Sequence, residues 1–130
     1  MEDRVVKQVI VVRRDLNMRK GKTASQVAHA AMKFLVDSNE SERDDELYVK
    51  LSNVEVLWLT GKFTKIVVGC DSEEELSMLV TRAMVAGVQV HQIVDCGLTE
   101  FKSVHTLTCA AFGPDYAEVL DSLTGHLQLI

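Results

Sequence analysis

Two short stretches carry residue types that can do chemistry together: Lys20-Gly21-Lys22-Thr23 and Asp95-Cys96-Gly97-Leu98-Thr99-Glu100. Lysine offers a compact positive charge with N–H donors, a carboxylate accepts, and a hydroxyl positions water or caps a turn. Each stretch follows an apolar segment that reads as a strand. In open α/β sheets, ligands collect at the carboxyl ends of parallel strands, so two such loops can open on the same edge. Gly21-Lys22-Thr23 has the ending of a phosphate-binding loop, but the full pattern needs glycine at position 16 and Leu16 stands there, which excludes a nucleotide-triphosphatase. What remains is a glycine-bordered loop feeding a helix N-terminus, whose backbone N–H groups attract anions. Residue types alone leave plainer roles open. Lys22 can be a surface charge, Asp95 or Thr99 a turn cap, and His29 a packed or surface histidine. The four histidines form no compelling His/Ser/Asp ordering.

The elements that must position these residues follow from hydrophobic period. Val5 to Arg13 is β-branched and apolar, the pattern of a buried central strand. After the polar stretch 14–22, Thr23 to Val36 places Ala24, Val27, Ala28, Ala31, Phe34 and Leu35 along one helical face, with small residues for close approach to a sheet. Residues 37–46 hold six acids and one base, the composition of a solvated loop. Leu47, Leu51, Val54 and Trp58 have helical spacing, and Gly61 can end that second helix. Lys65 to Cys70 is a second strand. Asp71 and Glu74 suggest a capping box for a third helix with Leu76, Leu79, Val80, Ala83 and Met84 buried, ended at Gly87. Val88 to Val94 and Thr106 to Phe112 read as strands three and four. Gly113-Pro114-Asp115 begins a last helix through Leu123, closed by Gly125, and His126 to Ile130 can pack back as an extension. The expected fold is a single-domain α/β structure over residues 1–130, a mixed four-stranded sheet with helices on both faces. The first three strands are expected to be parallel neighbours and the fourth antiparallel.

Composition bounds the function classes. A chain of 130 residues with 47% apolar and 25% charged residues suits one globular core. The apolar runs are too short to span a bilayer, and the start lacks a secretory signal, so a cytoplasmic protein is expected. Cys70, Cys96 and Cys109 have neither disulfide nor metal spacing and read as reduced thiols. The net charge of −5 hides an asymmetry: residues 1–33 carry eight basic and three acidic side chains, the remainder six basic and sixteen acidic. A phosphate-binding face depends on the local patch, so a basic N-terminal third remains compatible with a nucleic-acid partner.

The same residues carry a family resemblance. Val9-Ile10-Val11-Val12-Arg13, Asp15-Leu16 and the run Met18 to Ala31 resemble the N-terminal signature of the archaeal and eukaryotic type of peptidyl-tRNA hydrolase. Asp95 to Glu100 resembles its second motif, commonly Asp-Ala-Gly, a basic residue, Thr and Gln. Phe112-Gly113-Pro114 and Thr124-Gly125-His126-Leu127 resemble its C-terminal signatures. The resemblance implies cleavage of the ester joining a nascent peptide to tRNA, no metal or organic cofactor, and a homodimer. It maps the implicated positions onto Lys22, Asp95 and Thr99, with Gln26 and His29 nearby on the first helix. The expected catalytic residues are Lys22, Asp95 and Thr99, and the expected substrate-binding residues Arg19, Lys20, Gln26, His29 and Thr106. The chain departs from the pattern at Leu98, where the family has a basic residue, and at Glu100, where it has glutamine. An added carboxylate weakens attraction for a phosphate backbone, so a relative that binds RNA without cleaving it, or that binds a protein, is the alternative.

Overall fold

The computed structural model describes residues 4–97, 101 and 104–130. Its elements, in chain order, are β1 (Val6–Arg13), a 3-10 turn (Arg14–Leu16), α1 (Lys20–Asp37), α2 (Asn53–Thr60), β2 (Lys65–Cys70), α3 (Glu73–Val85), β3 (Val90–Asp95), β4 (Thr106–Tyr116), α4 (Ala117–Thr124) and β5 (Gln128–Leu129). They form an open mixed α/β sheet of five strands in the order β3-β4-β1-β2-β5.

Five strands, not the four expected from sequence, make the sheet, because the apolar tail packs back as β5, antiparallel to β2. Two residues are too few to announce a strand by period. The expected directions hold: β1 and β2 are parallel, and β4 runs antiparallel to both β1 and β3. The expected neighbourhood does not, since β4 lies between β1 and β3. The link from β3 to β4 is short enough to return antiparallel, and that inserts β4 at the centre.

Alternation along β1 splits the core into two layers. Val9 and Val11 meet Leu76, Leu79, Val80, Ala83 of α3 and Leu120, Leu123 of α4 on one face. Ile10 and Val12 meet Ala30 of α1 on the other, with Ile93, Cys109 and Ala111. Helices therefore cover both faces. Alongside α1, Trp58 of α2 packs edge-on against Phe34 at 5.9 Å between ring centroids. Its indole N–H donates to the Thr64 carbonyl at 2.7 Å.

Several boundaries shift for local reasons. Helix α1 begins at Lys20 rather than Thr23, so Lys22 lies inside the first turn and not in a loop before it. Its buried residues are Gln26, Ala30 and Phe34, while Ala24 and Ala28 are exposed. Helix α2 is shorter than the Leu47–Trp58 spacing suggests, because Ser52 and Glu55 form a capping box that starts it at Asn53. The α3 cap is Ser72, one residue past the expected Asp71. Ser72 Oγ accepts from Glu75 N at 3.0 Å, while the Glu75 carboxylate accepts from Asp71 N at 2.7 Å. Gly87, at φ 74°, occupies the left-handed position just beyond the end of α3. Strand β3 begins at Val90 rather than Val88. Strand β4 runs on to Tyr116, so α4 starts at Ala117 instead of near Gly113.

Candidate active site

The carboxyl end of β3 meets the first turn of α1. Asp95 is the last residue of β3, and its Oδ1 accepts from Lys22 Nζ at 2.6 Å. Both side chains keep 11% of their surface exposed, so the pair is sheltered yet reachable from solvent. The Gln26 amide, one turn along α1, donates to the same oxygen at 3.4 Å. The backbone N–H of Gly97 donates to Asp95 Oδ2 at 2.9 Å, closing the turn that leaves the strand. The ring of Phe101 lies 5.6 Å from Lys22 Nζ, close enough for a cation–π contact.

Behind this layer stands a residue that sequence reasoning missed. Thr108 is completely buried, and its hydroxyl donates to Gln26 Oε1 at 2.5 Å. That bond fixes the amide so that its NH2 faces Asp95. A register slip explains how Thr108 gets there. Ile93 pairs with Cys109 and Val94 with Leu107, leaving Thr108 as the extra residue of a β-bulge. Thr108 and Cys109 consequently both reach α1, the Cys109 thiol donating to the Gln26 carbonyl at 3.5 Å. The available signal was a lone hydroxyl inside the apolar run Leu107-Thr108-Cys109-Ala110.

The other expected site residues divide. Lys20 is the first residue of α1 and Arg19 its cap; both are exposed and sit beside the Lys22–Asp95 pair. His29 lies two turns beyond Lys22 on α1, exposed, and its charge adds to the field at Asp95. Thr106 is the register partner of Asp95, but its hydroxyl donates to the Val104 carbonyl at 2.9 Å. Thr99 lies outside the described residues, as do Leu98 and Glu100.

Electrostatics keep the carboxylate ionised. The hydrogen bond from Lys22 holds Asp95 below the usual carboxylate range against the upward push of burial, with the Gly97 N–H and the Lys22 charge acting in the same downward direction. The first turn of α1 contains no acid, and Asp95 of β3 supplies a counter-charge to Lys22 beside the positive end of the helix dipole. Cys70 and Cys109 are buried free thiols, each pushed up by burial to about 11, which makes them inert. Cys96 is free and exposed. Among the described residues, no three His, Cys, Asp or Glu side chains cluster as metal ligands do, and no helix is long and apolar enough to cross a membrane.

An open mixed α/β sheet with a sheltered lysine–carboxylate pair at a strand's carboxyl end, beside a basic helix start, defines the structural class of the chain. The comparisons make the class specific. Residues 6–130 match the family described as peptidyl-tRNA hydrolase PTH2, and the chain belongs to that family. It is 37% identical to the peptidyl-tRNA hydrolase of Thermococcus onnurineus over 95% of this chain and 97% of that protein. It is 39% identical to that of Metallosphaera sedula over 96% and 100%. With the Haloquadratum walsbyi enzyme it shares 37% identity over 95% and 99%.

Proposed function

We propose that this protein is an enzyme hydrolysing the ester bond of peptidyl-tRNA, releasing free tRNA and peptide, with Lys22, Asp95 and Thr99 as its catalytic residues. The observation that carries the reading is the 2.6 Å Lys22–Asp95 pair, set at the joint of α1 and β3 in a chain of this family.

Ester hydrolysis needs a positioned water and stabilisation of the oxyanion that develops on the carbonyl. Lys22 is the cation for that oxyanion, fixed by Asp95 and by the Phe101 ring. A carboxylate that accepts from Lys22, Gln26 and Gly97 has most of its lone pairs in use. Asp95 holds Lys22 in place and, with its remaining lone pair, orients the attacking water. As the water oxygen bonds to the carbonyl carbon, its proton passes along that hydrogen bond and on to the departing ribose oxygen as the ester C–O bond breaks. Thr99, four residues on, positions the same water through its hydroxyl. Arg19 and Lys20 lie where the phosphates of the tRNA 3′ end approach, with Gln26 and His29 flanking the scissile bond. Thr106 supports the Asp95 end of β3. The protein acts as one domain in the cytoplasm, as a homodimer, and without cofactor.

The test is release of tRNA from purified N-blocked aminoacyl-tRNA. Lys22→Ala is expected to lower kcat/KM by on the order of a hundredfold or more with the fold retained. Full activity in that variant removes Lys22 from the mechanism. Salt-dependent tRNA binding without cleavage by the wild type leaves a relative that binds RNA without cleaving it.

A further inference from the structure

A groove of about 690 Å³ runs along the outer flank of α1, between that helix and β3 at the edge of the sheet. Ala28, His29, Met32 and Val36 form one wall, Ile93 and Val94 the other. Met32, Val36 and Val94 are 60%, 57% and 58% exposed, a run of bare apolar side chains rather than part of the core. The groove lies next to the catalytic pair along both elements: Val94 precedes Asp95 in β3, and His29 is two turns beyond Lys22 on α1.

Charge is graded along the same helix. Its beginning carries Arg19, Lys20 and Lys22, with Arg13 and Arg14 close by in sequence. Its end runs into Asp37 and the exposed acidic segment holding Glu40, Glu42, Asp44, Asp45 and Glu46. The one lysine on the groove, Lys33, is paired with Asp37 at 2.9 Å, and Asp37 also meets His91 at 2.8 Å. A polyanion is therefore attracted to one end of α1 and repelled from the other.

We infer that this groove is the binding site for the peptide portion of the substrate, an inference that rests on the peptidyl-tRNA reading of the neighbouring pair. The substrate has the matching polarity: polyanionic on the tRNA side of the ester, uncharged along the peptide backbone, and cationic at the peptide's amine. From Lys22 to Val36 the helix rises about 21 Å, the reach of roughly six extended residues. Strand β3 pairs on one side only, with β4, so its other edge offers backbone N–H and C=O groups to an extended chain. Met32, Val36 and Val94 would take the side chains of that chain, and the acidic segment its amine.

The experiment compares kcat/KM for tRNA carrying an apolar hexapeptide with that for tRNA carrying N-acetylglycine, in wild type and in Met32→Ser/Val36→Ser. The wild type is expected to favour the hexapeptide through a lower KM, and the double variant to lose about five- to tenfold of that preference. Preference intact in the variant, or equal cleavage of both substrates by the wild type, overturns the groove assignment while the hydrolase reading stands. Cleavage of neither substrate by the wild type overturns both. A variant whose sedimentation shifts from dimer to monomer, with the preference intact, assigns the groove to a second copy of the chain instead.

Discussion

Lys22 stands where helix energetics disfavour it. A cation in the first turn adds to the positive end of the dipole, an effect of about 0.3–1 kcal/mol, and Asp95 answers it from another element. Because the folded Asp95 carboxyl is held below its usual range, the pair stabilises the protein above the unfolded carboxyl's value, about 4, and that stabilisation disappears as pH falls through the folded one. Lys22→Met is expected to cost about 3 kcal/mol at pH 7 by denaturant titration. The gap should close as pH falls below the unfolded carboxyl's value, and a gap that stays constant with pH would contradict the pairing. Thr108 acts one step further back, through Gln26. Thr108→Val is expected to lower kcat by roughly tenfold, whereas Thr108→Ser, which keeps the hydroxyl, should restore it. Equal loss in both would make Thr108 a packing residue. The expected strand ends placed Lys22 and Asp95 at one edge, but residue types left them readable as a surface charge and a turn cap, and only the family motifs singled them out. Thr108 was hidden, because a bulge that turns a strand residue towards a helix leaves no periodic trace. Gln26 was misplaced for a related reason. A buried amide reads as surface, and counting it so rotates the apparent buried face of α1 towards Ala24 and Ala28.

The elements themselves were largely written in apolar period and end signals. Strand β2 falls on the residues expected of it, and α3 shows its buried stripe of Leu76, Leu79, Val80 and Ala83. Starts were harder than stops. Gly61, Gly87 and Gly125 mark helix ends plainly, but α1 opens without a side-chain cap and takes in Gly21 within its first turn. At α3 the competition between Asp71 and Ser72 is settled by reach. Ser72 holds the Glu75 N–H, and Glu75 turns back to the Asp71 N–H, so both residues are used one place along from the expected box. Ser72→Ala is expected to destabilise the protein by about 1 kcal/mol in thermal or denaturant unfolding. Asp71→Ala, which leaves that backbone N–H in place, should cost much less. Equal losses would return the cap to Asp71.

At the scale of the whole molecule, the site depends on strands that are distant in sequence. The connections between strands told parallel from antiparallel but not adjacency, because a short return connection is compatible with more than one place in the sheet. The position of β4 between β1 and β3 sets Asp95 one strand further from β1 than adjacent parallel strands would, and α1 spans that distance to bring Lys22 across. The far side of the sheet carries a different lesson. Gln128 and Leu129 lie along β2, and the Ile130 N–H donates to the Val67 carbonyl at 3.2 Å. Without that short ribbon, Lys65 to Cys70 would present a bare, largely apolar template to any other chain in solution. Removing residues 128–130 is therefore expected to leave the catalytic end of the sheet assembled while making the protein self-associate with rising concentration, measurable by light scattering. By occupying the free edge of β2, these few residues are expected to act as a guard against aggregation.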